Sequence, residues 1–338
     1  MNILAVESSC DETAVAIVRD GRVVLTDCIN SQVALHREYG GVVPEIASRK
    51  HVEAIYGLAD QALTEANLSR KDIDAVAVTY APGLIGAVLV GVNFAKAAAL
   101  ALNKPLIPVH HIRGHIAANY ISYPDLEPPF LCLVVSGGHT MIVEVKDYTD
   151  MQILGTTLDD AAGECFDKVA RVLGMPYPGG AALDKIARTG DDTKYDLPRS
   201  KPGENPYNMS FSGLKTAALN LIHHAQQVGE ELDVPSLCAS FSAAVSDTLV
   251  PRVVRAIQQT GYKKIAVAGG VAANSRIRGD IMAAAEKLGA TVYMPPLSLC
   301  GDNGAMIGAQ AYYEYLAGNL ADMSLNAYAT KSILGEKV

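Results

Sequence analysis

Hydrophobic and polar positions follow the same order in the two halves of this chain of 338 residues. Each half begins with three short apolar stretches separated by polar turns, a pattern that predicts three antiparallel strands. Asp20-Gly21, in the first half, is a typical two-residue hairpin turn. The predicted strands are 3–6, 13–18 and 22–28 in the first half and 130–135, 140–145 and 151–155 in the second.

Helices and strands then alternate in both halves. The predicted helices are 44–66, 84–102, 163–173, 235–259, 274–288 and 305–316, and the predicted further strands are 75–79, 106–109, 264–268 and 291–294. Three antiparallel strands that lead into a βαβ series, twice over, are the layout of an α/β protein with two ribonuclease H-like lobes. Two such lobes facing a nucleotide cleft are the architecture of the actin, sugar kinase and Hsp70 superfamily.

Domain limits follow from this repeat. The N-terminal lobe is predicted at 1–125 and is completed by a C-terminal helix at 302–320. The C-terminal lobe is predicted at 126–301 with an insertion at about 175–234, and the tail 321–338 carries no pattern that we interpret.

Two histidines and a distant aspartate are the candidate metal ligands. A helical pattern follows the predicted strand 106–109 and continues to Tyr120. His111 and His115 are four positions apart in it, so both lie on one face and can share a cation. Asp302 is predicted near the N-terminus of the helix 305–316, where a carboxylate is favoured. Two imidazoles and one carboxylate form an open set that suits iron(II), with zinc(II) as the competing ion. The alternatives are two unrelated histidines and an aspartate that only caps its helix.

Glycine-rich turns are the candidate nucleotide-binding elements. Ser136-Gly137-Gly138 follows a buried strand, so its backbone N–H groups can approach an anion closely. The segment 267–274 runs from a strand through Gly-Gly into a helix and places Asn274 to bind a ribose or a base. A second Gly-Gly turn at 179–180 precedes Asp184, which could bind ribose hydroxyls, as could Asp167. Ordinary turns and solvent-facing aspartates are the alternatives.

Composition bears on membrane insertion, cellular compartment and nucleic-acid binding. The chain is 49% hydrophobic, contains no run of eighteen apolar residues, and has no basic N-terminal segment, so neither a membrane span nor a secretory signal is predicted. Six cysteines without CxxC spacing are typical of reduced thiols in a cytoplasmic protein. The net charge of −8 means that nucleic acid must bind a local basic patch or a partner's surface.

The ordered motifs resemble those of a known family. They include ESSCDETAVAI, GGVVPEIASRKH, APGLIGAVLVG, VSGGHT, GECFDKVARVLG, FSGLKTA, AGGVAANSRIR and CGDNGAMIGA, and they extend from about residue 2 to about residue 320. The chain therefore resembles the bacterial tRNA N6-adenosine threonylcarbamoyltransferases, the bacterial branch of the universal Kae1/Qri7 family, formerly called the glycoprotease family.

This resemblance implies a transferase. A separate enzyme makes threonylcarbamoyl-adenylate, and a family member moves the threonylcarbamoyl group to N6 of the adenosine next to the anticodon in tRNAs that read codons beginning with A, releasing AMP. Matching positions imply that His111, His115 and Asp302 bind the metal. The positions that match adenylate contacts are Val134, Val135, Ser136, Gly137, Gly138, Asp167, Gly180, Asp184 and Asn274.

Catalysis in such a reaction depends on positioning. The donor is a mixed anhydride, so AMP leaves readily and no covalent enzyme intermediate is required. The exocyclic amine is a weak nucleophile that must lose a proton, and Asp11 and Glu12 in the first hairpin turn are the candidate bases. The alternative for both is an ordinary turn residue.

Two other classes of function compete with this interpretation. A zinc metalloendopeptidase needs Glu directly after the first histidine, and Ile112 occupies that place. An ATP-dependent kinase or Hsp70-like module of the same fold does not require the three metal ligands.

Partner proteins are implied by the family. They are a smaller non-catalytic paralogue (TsaB) that pairs through the N-terminal lobe and a P-loop ATPase (TsaE). Within this chain the insertion is locally basic and could contact tRNA, with a solvated loop as the alternative. Its basic residues are Arg188, Lys194, Arg199, Lys201 and Lys215.

Overall fold

The computed structural model describes residues 1–201 and 203–334, and the end of the predicted tail, 335–338, lies outside the described residues. The chain divides into two compact units. Unit 1 contains Met1–Pro128, Val145–Met151 and the described residues from Pro295 onward, and unit 2 contains Pro129–Glu144 and Gln152–Met294. The lobe limits given by the sequence stay a prediction.

Ten strands and ten α-helices lie within the described ranges. The strands are β1 (Asn2–Glu7), β2 (Glu12–Arg19), β3 (Val23–Ser31), β4 (Ala75–Ala81), β5 (Leu106–His110), β6 (Phe130–Val135), β7 (Thr140–Val145), β8 (Met151–Thr156), β9 (Lys264–Ala268) and β10 (Thr291–Tyr293). The helices are α1 (Val33–Arg37), α2 (Pro44–Glu65), α3 (Ile85–Leu102), α4 (His111–Ser122), α5 (Ala162–Val172), α6 (Gly179–Ala187), α7 (Ser212–Val228), α8 (Val234–Thr260), α9 (Ser275–Lys287) and α10 (Gly304–Leu316).

The sheets of the two units have the same topology. Unit 1 has the strand order β3-β2-β1-β4-β5, and unit 2 has the order β10-β9-β6-β7-β8, which is the same order read from the other edge. In unit 1, β2 pairs antiparallel with both β1 and β3, β4 pairs parallel with β1, and β5 pairs parallel with β4. Asp20 and Gly21 both have positive φ, as the predicted two-residue hairpin requires. The predicted internal repeat is therefore confirmed.

The sheet of unit 1 is covered on both faces. Successive residues of a strand point to opposite sides, so Leu4 and Val6 pack with α2 and α3, whereas Ile3 and Ala5 pack against Met306 and Ile307 of α10. Both faces of β1 are buried, which explains its continuous apolar run. Helices α4 and α10 lie together on the second face, and this places the start of each at the candidate metal site.

Two features of the fold differ from the sequence prediction. Helix α7 lies inside the insertion, and its buried positions Leu214, Ala218, Ile222 and Ala225 have the helical spacing that the sequence analysis did not use. Helices α3 and α8 are long and apolar enough to cross a membrane, although no membrane span was predicted. Most of α8 is buried inside the protein, and core helices of soluble proteins pass the same test, so these two helices are weak evidence for a membrane.

Candidate metal and nucleotide sites

The two predicted histidine ligands lie on the first turns of α4. This helix begins at His111, directly after β5, so His111 and His115 share one face and their ring centroids are 4.6 Å apart. Both side chains are buried. Gly114 lies between them, and a β-carbon there would come within 2.7 Å of Ile307 Cδ1. The glycine therefore permits the close approach of α4 and α10.

Asp302 reaches the histidines from the segment before α10. The helix is capped by Asn303, whose Oδ1 accepts a hydrogen bond from the backbone N–H of Met306, so the alternative that Asp302 caps this helix is wrong. Oδ1 of Asp302 lies 3.5 Å from Nε2 of His111 and 3.3 Å from Nε2 of His115. The structure thus brings together three ligand atoms from segments almost two hundred positions apart.

The donor set fits a divalent metal ion. All three ligand atoms lie within 4.8 Å of one another. Atoms bound to one ion at about 2.1 Å are separated by about 3.0 Å in octahedral and about 3.4 Å in tetrahedral geometry, similar to the distances from Asp302. Both imidazoles also direct Nε2, rather than Nδ1, towards the carboxylate.

Strong electrostatic coupling links this site to Glu7 at the end of β1. Burial alone would raise the pKa of Glu7, but the charge of His111 and its hydrogen bond outweigh burial and lower that pKa. Burial would lower the pKa of His111, yet the charges of Asp302 and Glu7 raise it to about 9. The two carboxylates therefore favour the protonated form of His111, and a metal ion competes with a proton for this imidazole.

The candidate bases are adjacent in the same unit: Asp11 is the last residue of the turn after β1, and Glu12 is the first residue of β2. Asp11 is buried, and its backbone oxygen accepts from the N–H of Gln32. Oε1 of Glu12 accepts from the hydroxyl of Ser31. Burial, together with the charges of Asp11 and Asp302, raises the pKa of Glu12 to about 9. The charge of Asp302 therefore acts on Glu12 as well, which links this part of unit 1 to the three ligands.

Sequence reasoning missed two supports of this site. The side chain of His51 hydrogen-bonds the carbonyl of Cys10 (2.9 Å) and so holds the turn that carries Asp11. The described part of the tail, from which the sequence analysis drew nothing, supplies backbone oxygens to the start of α4: Lys331 to His110 and Ile333 to Arg113. His51 shares helical spacing with the buried apolar residues of α2, and this spacing could have indicated the first support. The sequence contains no comparable signal for the second.

In unit 2 the turn Ser136–Gly138 follows β6, whose residues Val134 and Val135 are completely buried. Gly137 and Gly138 are exposed, and a β-carbon on either would meet nothing within 4 Å. The start of α5 packs closely on this turn, because a β-carbon on Gly163 would lie 2.5 Å from the carbonyl oxygen of Ser136. The turn is therefore open on one side and supported by a helix N-terminus on the other.

A second turn of unit 2 contacts this one through its backbone. Gly269 has φ of +93°, and a β-carbon there would lie 2.5 Å from the carbonyl oxygen of Val135. Only glycine combines this conformation with this approach. Asn274 caps α9, with its Oδ1 accepting from the N–H of Ile277.

The predicted ribose ligands Asp167 and Asp184 already accept hydrogen bonds from protein donors. Oδ1 of Asp167 accepts from the N–H of Gly180. Oδ1 of Asp184 accepts from the N–H and hydroxyl of Ser275, and its Oδ2 pairs with Arg188. A cavity of about 280 Å³ opens beside Asp184. Asp167 thus holds the start of α6, and Asp184 holds the start of α9 beside this cavity.

The basic residues of the insertion are largely neutralised within unit 2. Lys194, Arg199 and Lys215 form ion pairs with Asp233, Asp247 and Asp160, as Arg188 does with Asp184. Lys201 is exposed. The insertion therefore presents less positive charge than its composition suggests. All six cysteines are free, and five of them are buried.

Solved structures share the fold at low sequence identity. A full-length HypF in its phosphate- and nucleotide-bound form matches with a TM-score of 0.63 and 14% identity, over 98% of this chain and 47% of that one. Component A of the (R)-2-hydroxyglutaryl-CoA dehydratase of Acidaminococcus fermentans matches with a TM-score of 0.53 and 15% identity, over 94% of this chain and 98% of that one. The predicted fold class is confirmed.

Curated relatives match over nearly their full lengths. The tRNA N6-adenosine threonylcarbamoyltransferase of Moorella thermoacetica is 55% identical over 326 residues, which are 96% of this chain and 95% of that protein. The enzyme of the same name from Clostridium botulinum strain 657 is 51% identical over 337 residues, covering 100% of this chain and 99% of that one. The family profile described by this name matches residues 23–309. The chain therefore belongs to the tRNA N6-adenosine threonylcarbamoyltransferase family.

Proposed function

We propose that this chain transfers the threonylcarbamoyl group from threonylcarbamoyl-adenylate to N6 of the adenosine next to the anticodon, in tRNAs that read codons beginning with A. The products are threonylcarbamoyladenosine (t6A) in tRNA and AMP. The observation that carries the proposal is the convergence of His111, His115 and Asp302 in a chain of this family. A kinase or an Hsp70-like module has no use for this set of ligands.

His111, His115 and Asp302 would hold one divalent ion, with iron(II) preferred and zinc(II) the alternative. The chemistry that such an ion would supply is Lewis acidity towards an oxygen of the acyl-adenylate, and three protein ligands would leave room for a substrate. The rival metalloendopeptidase is not favoured, because the fully buried Ile112 occupies the position of the catalytic glutamate in zinc peptidases.

The residues of unit 2 would bind and orient the adenylate. Gly137 and Gly138 are exposed and have open space around them, so their backbone N–H groups can donate to the phosphate. The N–H of Ser136 donates to the carbonyl of His139, so Ser136 would contribute by holding the turn in shape. Asp167, Asp184 and Asn274 are held near helix starts and would contact the ribose or the base by their remaining hydrogen-bonding capacity. Val134, Val135 and Gly180 are the remaining residues that we propose to contact the adenylate.

Asp11 and Glu12 are the proposed proton acceptors for the attacking amine. The raised pKa of Glu12 makes its carboxylate a stronger base than an ordinary glutamate once it is deprotonated. Neutralisation of Asp302 would remove one of the causes of that high pKa. Both Asp11→Asn and Glu12→Gln are expected to slow the transfer without loss of the metal.

The activity test combines the purified chain, its partner proteins, threonylcarbamoyl-adenylate and unmodified tRNA, followed by mass analysis of the nucleosides. t6A is expected with the wild-type chain and not with His111→Ala. Metal analysis of both proteins, purified without oxygen, is expected to show iron or zinc only in the wild type. The matched control is His224→Ala, at an exposed histidine of α7, which is expected to keep metal and activity. Absence of t6A under complete conditions contradicts the proposal.

The smaller paralogue is the proposed occupant of an exposed apolar face on α2 and α3. Val52 and Tyr56 of α2, and Ile85 and Leu89 of α3, are between 42% and 64% exposed. Exposed apolar side chains on two packed helices favour a partner that brings apolar helices of its own. The P-loop ATPase is proposed to act on the resulting assembly.

Co-purification tests this face. Leu89→Glu is expected to abolish the complex with the paralogue, whereas Val228→Glu, at an exposed apolar residue of unit 2, is expected to leave it intact. Equal loss in both variants would contradict the assignment of the face.

tRNA is proposed to bind partly on the insertion, with the cytoplasm as the compartment. The exposed Lys201 is the residue to test, since other basic residues of the insertion pair with carboxylates. Lys201→Glu is expected to weaken tRNA binding at low salt several-fold. Unchanged binding across salt concentrations would favour the solvated-loop alternative.

A further inference from the structure

The two histidines of the candidate metal site differ in what faces their second ring nitrogen. Nδ1 of His111 lies 2.9 Å from Oε2 of Glu7 and 3.1 Å from the hydroxyl of Ser9. Nδ1 of His115 is buried and, among the described residues, has no hydrogen-bond partner. Only one of the two imidazoles is therefore oriented by a carboxylate.

Glu7 is itself held rigidly. It is the last residue of β1, and its side chain is completely buried. Its Oε2 accepts from the hydroxyl of Thr79 at 2.6 Å, and its Oε1 accepts from the backbone N–H of Ser9 at 2.5 Å. A carboxylate that accepts from these donors and also contacts an imidazole nitrogen requires that nitrogen to carry the proton.

We infer that Glu7 is a positioning residue for the metal centre, which keeps the proton of His111 on Nδ1 and so leaves Nε2 to bind the ion beside Asp302. The inference rests on the proposed metal site and extends it to a residue that does not touch the ion. A carboxylate behind a metal-binding histidine fixes the orientation of the ring and makes the ligand nitrogen more basic. The negative charge of Glu7 also helps to balance a dication in a buried site.

The substitution Glu7→Gln tests this role because the surroundings dictate how the amide must lie. The backbone N–H of Ser9 needs an acceptor, so the amide oxygen takes the place of Oε1. The NH₂ group then takes the place of Oε2 and donates to Nδ1 of His111. An imidazole that accepts at Nδ1 carries its proton on Nε2, and that proton blocks the metal.

The first measurement is the affinity of the full chain for Zn²⁺ in competition with a chromophoric chelator. Glu7→Gln is expected to bind Zn²⁺ about 10- to 100-fold more weakly than the wild type. The matched control is Thr79→Val, which removes a neutral donor to the same carboxylate oxygen and leaves the contact with His111 in place. This control is expected to retain the wild-type affinity within about threefold.

The second measurement needs only the wild-type chain, so it is decisive even where Glu7→Gln does not fold. Long-range ¹H–¹⁵N correlation spectra of the Zn²⁺-loaded protein distinguish a protonated from a metal-bound ring nitrogen. His111 is expected to show a protonated Nδ1 and a zinc-bound Nε2. The reverse assignment, or equal Zn²⁺ affinity in the wild type and a folded Glu7→Gln, overturns the inference about Glu7.

These outcomes are separate from failure of the proposed metal site. If the wild-type chain binds no Zn²⁺ and His111→Ala changes nothing, the metal site is wrong and the role of Glu7 falls with it. If the wild type binds Zn²⁺ through His111 and Glu7 has no influence on affinity or tautomer, only the positioning role is wrong.

Discussion

Unit 1 presents its candidate site through buried, charged side chains, whereas unit 2 presents its own largely through backbone. In unit 1, His111 and Glu7 are coupled strongly enough that the pKa values of both depart from their ordinary range. In unit 2, Gly137 and Gly138 expose their backbone. The carboxylate of Asp184 accepts a hydrogen bond from Ser275 and forms an ion pair with Arg188. The same sheet topology thus supports two kinds of candidate site, one made of interacting charged side chains and one made of exposed backbone turns.

This difference teaches which property each unit has to preserve. A site made of interacting charges depends on protonation and on neighbouring ions, and it fails when one partner is removed. A site made of turns depends on backbone conformation, and it fails when a β-carbon is added. The two kinds of site should therefore respond to different substitutions and different ligands.

The largest expected effect is in unit 1. Asp302→Ala removes the only carboxylate of the three converging ligands, and it should reduce t6A formation on the order of 10³-fold, which is about 4 kcal/mol of transition-state stabilisation. Single-turnover assays with saturating acyl-adenylate measure this loss. The affinity of unit 2 for AMP should stay unchanged. A parallel loss of AMP binding would contradict the claim that the two sites respond to different substitutions.

The corresponding test in unit 2 compares alanine substitutions at two neighbouring glycines. Gly269→Ala places a methyl group 2.5 Å from the carbonyl oxygen of Val135 at a positive φ, and should cost about 3 kcal/mol of stability and weaken AMP binding. Gly270→Ala is the control, because a β-carbon there meets nothing within 4 Å. Urea unfolding and calorimetric titration with AMP measure both quantities. Equal effects of the two substitutions would contradict the backbone argument.

Ligands should stabilise the two units separately. At 100 times its dissociation constant a ligand contributes about 2.7 kcal/mol. Zn²⁺ is expected to slow amide exchange at the end of β1 and the starts of α4 and α10, and AMP is expected to slow it in 136–138 and 269–274. Mass-spectrometric hydrogen exchange measures this. Identical protection patterns for the two ligands would show that the division into two kinds of site is wrong.

The smallest expected effect concerns a helix start in unit 1. Oδ1 of Asp27 accepts from the N–H of Gly304, and burial raises the pKa of this carboxyl to about 6 despite that hydrogen bond. A folded-state pKa above the unfolded one means that the stabilising contribution is complete below about pH 4 and is lost as the pH rises through about 6. Asp27→Asn keeps the acceptor without the charge.

The variant should therefore be more stable than the wild type at pH 7.5 by about 2 kcal/mol, and the difference should vanish near pH 4. Urea unfolding at both pH values measures it. A variant that is less stable than the wild type at pH 7.5 would mean that the charge of Asp27 is favourable at the start of α10.

Much of the architecture was predictable because it is encoded locally. The continuous apolar runs of β1 and β2, the Asp20-Gly21 turn and the spacing of His111 and His115 each depend on neighbours a few positions away. The candidate ligands were predicted on the same basis, since a helix start and a helix face determine where a side chain can point. Helix α7 could have been predicted from its own spacing.

The sequence by itself determined the repeated strand order, the histidine pair and the glycine turns, because periodicity and turn chemistry act over short distances. Only the tertiary structure decided that Asn303 rather than Asp302 caps α10, that Glu7 stands behind His111, and that carboxylates neutralise the basic insertion. The cap itself is a local contact, but Asp302 faces His111 and His115 instead of capping the helix. The other two outcomes depend on contacts between residues tens to hundreds of positions apart. Burial and distance set their energies, and a linear pattern contains neither.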